Sequence, residues 1–416
     1  MMSSELDIAN VGARRLEVVS APSGIAAFRL TAIVAALDCS AIVSYQFGVS
    51  TMTWYALTLV IKLFLVVGFV RWKTNLPFVA FFSVAFGLSV AISGVVNGEA
   101  GPPIVQAYGF CIHLCLTGLL IARGTLATYL KSVSVVVTGA ALLHVSLCAV
   151  GVMPSVYGRY LYYGSSSPNL GGEINAMAAI CAALVMRRKT FYVILTILVA
   201  SCLYMQTRSA ILTILLTSCL RAIVDENGRI AIRGLAAATL SMALFLTLAI
   251  VAIIFHDRIS EIGSDVFRLT DTHRGSGTGF VGRSDRWQVG QYLFNQNPLV
   301  GVGWGGIEAR GLLSPHNIFW SIAAQLGLIG ILSVFGSLAL SMFSVGRRSV
   351  GVFLVLSCAA PLLIFNDRSI NLNIYPYVLF VSVLCLGDRR SWRLNAPFAS
   401  STSGKSADSQ RLAELG

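Results

Sequence analysis

The chain has 416 residues, of which 56% are hydrophobic and 12% charged, with a formal net charge of +12 and a mean hydropathy of +0.77. A soluble domain carries about 25% charged residues, so this composition excludes one. The apolar residues fall in blocks of about 15–24, the length of a helix that crosses a bilayer, and they lack the short alternating pattern of an outer-membrane barrel.

In chain order, residues 1–24 are polar and mixed in charge, which predicts no cleavable signal, and 1–27 are expected to form a cytoplasmic N-terminus. Apolar spans are predicted at 28–47, 52–70, 77–96, 104–122, 130–151, 172–186, 190–206, 209–224, 233–255, 317–345, 350–366 and 373–387. The expected fold is an all-α polytopic membrane protein of about twelve transmembrane helices. Helices 1–9 occupy 28–255, a long polar loop 256–316, helices 10–12 occupy 317–387, and a Ser-rich cytoplasmic tail 388–416. Nineteen Lys and Arg fall on one side of this arrangement and nine on the other, including Arg159 and Arg208. The excess marks the cytoplasm, so both termini are cytoplasmic and the long loop extracytoplasmic. Because the positive charge gathers at block ends, it reads as an orientation signal and not as a nucleic-acid surface. The sequence shows no internal repeat and no pair of interrupted helices of the kind transporters use.

All nine Cys lie inside or at the edges of apolar blocks, an odd and buried set that argues against a disulfide framework. Cys111, His113 and Cys115 form a C-x-H-x-C pattern, but on a helix His113 points away from the two thiols, so they do not converge on a metal. Asp38 and Lys62 sit within neighbouring early spans. A charge at mid-membrane is costly, so pairing or a functional role is expected for them.

The chemistry-bearing residues collect at the outer side. The 256–316 loop holds six Arg, six Asp or Glu and three of the five His, so its formal charge sums to zero. Attraction to an anion there has to come from placed arginines. Arg208, in MQTRSAIL, sits at an outer hairpin against the positive-inside bias. It is either a snorkelling interfacial residue or an anion clamp, whose planar fork suits phosphate oxygens. The segment GRSDRWQVGQYLFNQNP predicts a short helix capped by Ser284 and ending at Asn297–Pro298. Arg283 and Arg286 lie on one side of it, and Trp287, Tyr292 and Phe294 seat it in the interface; Arg286 also has Asp285 and Asp257 as salt-bridge choices. Gly301, Gly303 and Gly306 match G-x-G-x-x-G, but no βαβ unit surrounds them, so they read as tight turning or close backbone approach. His316 lies in SPHNIFW, where Pro315 ends the loop and Asn317 caps a helix from Ile318. Held at the mouth of a span, a neutral imidazole is a good general base, or a loop residue that only hydrogen-bonds backbone. Pro168 and Asn169 begin another span at the outer side, with Asn169 read as a cap, Glu173 at its mouth and Asn175 just inside.

Taken together, the outer Thr-Arg-Ser, the G-R-x-x-x-W of Gly282, Arg283 and Trp287, the N-P-x-x-G-x-G of Asn297 to Gly303, and the P-H-N before an apolar helix resemble the O-antigen ligase and polymerase superfamily of bacterial inner-membrane proteins (WaaL-like and Wzy-like). The resemblance covers about 165–335; the first 150 residues match only as hydrophobic spans. It implies a GT-C-like, metal-independent glycosyltransferase that needs no cofactor, nucleotide sugar or ATP. The donor it implies is a glycan on undecaprenyl diphosphate at the periplasmic face. The acceptor is a hydroxyl of lipid A–core for a ligase, or another lipid-linked repeat for an O-antigen or exopolysaccharide polymerase. Carried onto this sequence, His316 deprotonates the acceptor, Arg208, Arg283 and Arg286 hold the donor diphosphate, and Asn317, Glu173 and Trp287 support them. The rival from another class is a transporter of lipid-linked glycan, which a twelve-span chain also fits; a membrane scaffold leaves the outer arginines unexplained.

Overall fold

The computed structural model describes residues 24–42, 48–69, 76–98, 101–123, 126–156, 158–163, 165, 167–224, 281–365, 370 and 374–388. The expected span at 233–255, the loop residues 256–280, the first 23 residues and the tail from 389 lie outside them.

Helices occur at every expected span within the described residues: α1 (Gly24–Cys39), α2 (Thr51–Phe69), α3 (Pro77–Asn97), α4 (Pro102–Arg123), α5 (Leu126–Ala149), α6 (Pro168–Val185), α7 (Arg188–Met205) and α8 (Arg208–Ile223). After the undescribed segment come α9 (Val281–Gln296), the single turn α10 (Gly306–Ala309), α11 (Ile318–Ile331), a π-helical stretch Leu332–Gly336, α12 (Ser337–Arg348), α13 (Val350–Ser357), α14 (Ala360–Phe365) and α15 (Ile374–Asp388). Between α5 and α6 a two-stranded antiparallel hairpin pairs β1 (Ser155–Val156) with β2 (Arg159–Tyr160). Among the described residues, six helices are long and apolar enough to cross a membrane: Met52–Phe69, Pro77–Asn97, Pro102–Ile121, Leu126–Ala149, Arg188–Met205 and Ile318–Arg347. Shorter apolar helices follow at Val350–Ile364 and Ile374–Asp388. The protein is a mostly helical polytopic membrane protein.

The boundaries follow local chemistry. Pro77 and Pro168 open α3 and α6, where a missing N–H costs nothing. Gly98, at φ 64°, closes α3 with its N–H on Gly94 and Val95 carbonyls. Asp388 at the end of α15 accepts from Phe78 N and, at 3.3 Å, from Val79 N, so it caps α3 from a distance of 309 residues in sequence. Short connections turn the chain back between α3 and α4, α5 and α6, and α7 and α8, while α11, the π-helical stretch and α12 form one continuous span that meets the end of α3 through Ser93. One end of the bundle therefore gathers the end of α3, the start of α4, the end of α5, the start of α6, the α7–α8 turn and the start of α11.

Among the described residues, the bundle interior is mostly apolar, and a polar cluster within it holds a buried ion pair. Lys62 pairs with Asp38, and its Nζ also lies 2.8 Å from Thr117 Oγ1, 3.3 Å from His113 Nδ1 and 3.3 Å from Tyr377 OH. Tyr129 OH donates to the other Asp38 oxygen at 2.8 Å. Asp38 is 5% exposed and Lys62 1%, so both charges are withdrawn from solvent and lipid. The expected pairing of the two early charges is present, and it ties α1, α2, α4, α5 and α15 together. His113 Nε2 contacts the Tyr55 carbonyl and Cys115 donates to Ser83, so the C-x-H-x-C residues are directed to separate helices.

Candidate functional site

The sequence anticipates no interrupted helix, yet α11 is broken. Gly327 has φ 63° and ψ −155°, a conformation open in practice to glycine alone. The break is filled by the glycine-rich loop after α9, which inserts against it like a short strand. Leu328 N donates to Pro298 O at 2.8 Å and Ile329 N to Leu299 O at 3.2 Å. In return, Val302 N donates to Ala324 O at 2.8 Å and Gly303 N to Gln325 O at 3.0 Å. The Ala324 and Gln325 carbonyls and the Leu328 and Ile329 N–H groups beside the break thus find partners, as backbone within a bilayer requires. Ser93 Oγ on α3 donates to Val300 O at 2.6 Å and Gln325 O at 3.0 Å, and Asn97 Nδ2 to Gly301 O at 3.2 Å. The buried Gln325 side chain spans the junction, accepting from Gly305 N at 2.6 Å and donating to Ser321 Oγ at 3.0 Å.

This splice explains the N-P-x-x-G-x-G pattern. A Cβ on Gly301 would overlap the Gln325–Leu326 peptide, and a Cβ on Gly327 the Leu299–Val300 peptide. The glycines serve the approach of backbone to backbone, not a dinucleotide. Gly327→Ala is expected to lose about 1–3 kcal/mol from the backbone conformation alone, with further loss from the overlap. Thermal unfolding of the detergent-solubilised protein measures this, and an alanine variant of native stability would contradict the splice.

The splice sets the base of a hairpin that carries His316. Asn317 caps α11, accepting from Trp320 N at 3.2 Å, as its position in the sequence predicts. His316, half-buried, has φ 53°, one of three non-glycine residues with positive φ among those described. A left-handed histidine is uncommon and carries strain. Pro315 and Asn317 on either side are buried, so the strained residue is fixed from both directions.

The helix α9 packs along α11. Gly290 is the contact point: a Cβ there would lie 3.0 Å from Trp320 Cβ and 3.1 Å from Pro315 Cγ. Arg286 is one helical turn before Gly290 on the same face, and Leu293 is buried one turn after it. The structure therefore brings Arg286 and Trp287, both half-buried, to the same helix pair as His316 and Asn317. Position 283 shares that face; its side chain lies outside the described residues. Ser284 is not the cap expected of it, because α9 begins at Val281. A cap contributes about 1 kcal/mol, and packing on α11 outweighs it.

Arg208 is the first residue of α8 and is exposed, at the end of the bundle where α11 begins. Its neighbour Thr207 is 2% exposed and presses on α6, where a Cβ on Gly172 would overlap the threonine side chain. Glu173, 9% exposed, follows Gly172. The cap of α6 is Ser167, accepting from Asn169 N at 3.3 Å, and not Asn169. Asn169 Oδ1 instead accepts from Arg159 Nη2 at 2.8 Å. The α9–α11 group and the α6–α8 group are bridged by α14, which packs on both α8 and α11.

Sequence reasoning counted Arg159 only as an outer charge, and missed Gln325, Ser93 and the buried outer tyrosines. Burial pushes the Tyr162 phenol up, and that of Tyr163 to about 12, so both stay neutral near neutral pH. Tyr163 OH donates to Ala140 O, and His144 contacts Ser201 Oγ at 3.0 Å and Leu161 O at 3.2 Å beneath them. These contacts anchor the α5–α6 connection to the bundle.

A search of curated proteins finds no match for the chain. A family model described as O-antigen ligase matches residues 191–335, from the first turn of α7 through the splice to the π-helical stretch. The matched segment, which contains Arg208, Arg283, Arg286, Trp287, His316 and Asn317, is similar to the O-antigen ligase family.

Proposed function

We propose that this protein is a glycosyltransferase of the bacterial inner membrane that moves a glycan from undecaprenyl diphosphate to an acceptor hydroxyl, with lipid A–core as that acceptor. The family of the matched segment comprises glycosyltransferase-like ligases and polymerases acting on lipid-linked glycans. The observation that carries the finer reading is the strained turn at His316, fixed between Pro315 and Asn317 beside the Arg286-bearing helix. In this reading His316 takes the proton from the acceptor oxygen as that oxygen attacks the anomeric carbon. The glycosidic C–O bond to the diphosphate breaks, and the pair of electrons leaves on the phosphate oxygen. Arg208, Arg283 and Arg286 hold that leaving group, where negative charge grows in the transition state. Asn317, Glu173 and Trp287 support the site. No cofactor enters, because the lipid diphosphate supplies the driving force. The 256–316 loop faces the periplasm and both termini face the cytoplasm, which is what the distribution of basic residues supports.

The polymerase reading uses the same donor chemistry with a second lipid-linked repeat as acceptor. Deleting the gene and examining the lipid-linked pool and the surface polysaccharide separates the two. The ligase reading expects long unligated chains on the lipid carrier. Single repeats, ligated or not, would convert the assignment to a polymerase. An unchanged pool and surface would sink both.

A further inference from the structure

The α7–α8 turn has only Gln206 and Thr207 between the last residue of one helix and Arg208 at the start of the next. Its geometry therefore decides where Arg208 leaves the bundle. Three separate contacts hold that turn. Gln206 takes the left-handed conformation, φ 51° and ψ 45°, and its N–H closes α7 on Cys202 and Leu203 carbonyls. From below, Gly171 and Gly172 of α6 leave room for Met205 and Thr207 and for nothing larger than hydrogen. From above, Arg159 on β2 donates through Nε to Met205 O at 2.9 Å and through Nη2 to Gln206 O at 3.4 Å. The same Nη2 reaches Asn169 Oδ1 at 2.8 Å, in the first turn of α6.

We infer that Arg159 is a positioning residue for Arg208: its guanidinium clasps the terminal carbonyls of α7 to the start of α6 and so fixes the direction in which Arg208 meets the donor diphosphate. The chemistry suits arginine. A helix C-terminus presents unpaired carbonyls and partial negative charge, which a cation satisfies. The planar fork reaches a helix end and a neighbouring side chain at once, where a lysine supplies a point charge without fixed direction. Arg159 itself contributes its positive charge to the turn and not to the ligand. This inference rests on the reading of Arg208 as a diphosphate-binding residue.

The test measures binding of undecaprenyl diphosphate to the purified protein in nanodiscs, for the native chain and for Arg159→Gln, Arg159→Lys, Arg208→Ala and Arg159→Gln with Arg208→Ala. Arg159→Gln should weaken binding by about tenfold, within the ~10²-fold that a misplacement near 1 Å can cost. Arg159→Lys should recover only part of that loss. In the Arg208→Ala background the Arg159→Gln change should have almost no further effect, because the residue it positions is gone. An equal loss in both backgrounds would overturn the inference, since a general structural defect adds to the loss of Arg208. So would native binding by Arg159→Gln while Arg208→Ala binds weakly. Native binding by Arg208→Ala would remove the reading of Arg208 itself, and the inference with it. Should the Arg159 variants fail to fold, Asn169→Ala, which removes one arm of the clasp, is read in the same cycle with a smaller loss expected, and additivity there counts against the inference in the same way.

Discussion

Lys62→Met should destabilise the protein by about 3–5 kcal/mol, the cost of removing one partner from a buried ion pair. The carboxylate of Asp38 would keep the neutral hydroxyls of Tyr129 and Thr117 and no cation among the contacts described for it, in a setting 5% exposed. Asp38→Asn should cost a similar amount, because it strands the ammonium among Thr117, His113 and Tyr377, all neutral or weakly polar. The double variant Asp38→Leu with Lys62→Met removes both charges and should recover much of the loss, since replacing a whole buried pair by apolar groups is often neutral. Thermal unfolding in detergent checks the series. If the double variant were as unstable as the sum of the singles, the pair would not be acting as a unit. The same series distinguishes a clasp from a working charge: a clasp lets the double variant keep the proposed transfer activity, whereas a proton path through Lys62 and His113 would be lost in it.

The existence of this pair was legible from cost alone. Two charges in adjacent apolar blocks have few affordable states, and pairing is the simplest. Its other members were not legible, because Thr117, Tyr129 and Tyr377 are ordinary residues of apolar helices until the fold brings five helices together. The helices were read well for the same reason of cost: a block of about twenty apolar residues in a bilayer has one common backbone solution. The Asn317 cap was readable because capping is local. The break at Gly327 was not. The stretch IFWSIAAQLGLIG reads as an uninterrupted apolar helix, and what opens it is hydrogen bonding to Pro298–Gly303, a segment some twenty-five residues away. The loop glycines signalled close approach of backbone, but their partner was invisible. Arg159 was missed because its acceptors at the turn are main-chain carbonyls, which leave no residue type in the sequence to match. For the candidate site, the sequence names residues and a shared task, while the helix packing that relates them comes from the fold. The sequence already brings Arg208 to the outer side with the loop; the fold has it at the end of the bundle where α11 begins, with α14 packed against both its helix and α11.

That grouping gives the second large effect. His316→Ala should lower glycan transfer by about 10²–10⁴, the range for loss of a positioned general base. Arg208→Ala should lower it by about 10²–10³, the range for loss of one charge-stabilising donor. The two losses should differ in kind. In the proposed reading His316 acts on the acceptor oxygen, so its removal should leave the affinity for undecaprenyl diphosphate unchanged while the rate falls. In the same reading Arg208 holds the leaving group, so its removal should weaken donor binding as well, and Arg208→Lys should restore charge without a two-point contact and recover only part of the rate. A donor whose leaving group departs more easily needs less help from arginine but the same help from the base. Replacing the native donor by such a substrate should therefore narrow the Arg208→Ala defect and leave the His316→Ala defect as it was. Transfer by purified, reconstituted protein measures both. A His316→Ala protein that folds and transfers at the native rate would return His316 to a structural role, in which case the left-handed turn between Pro315 and Asn317 would serve only to start α11. The strain argues against that: a helix start needs the Asn317 cap, and it does not need an uncommon backbone conformation at the residue before it.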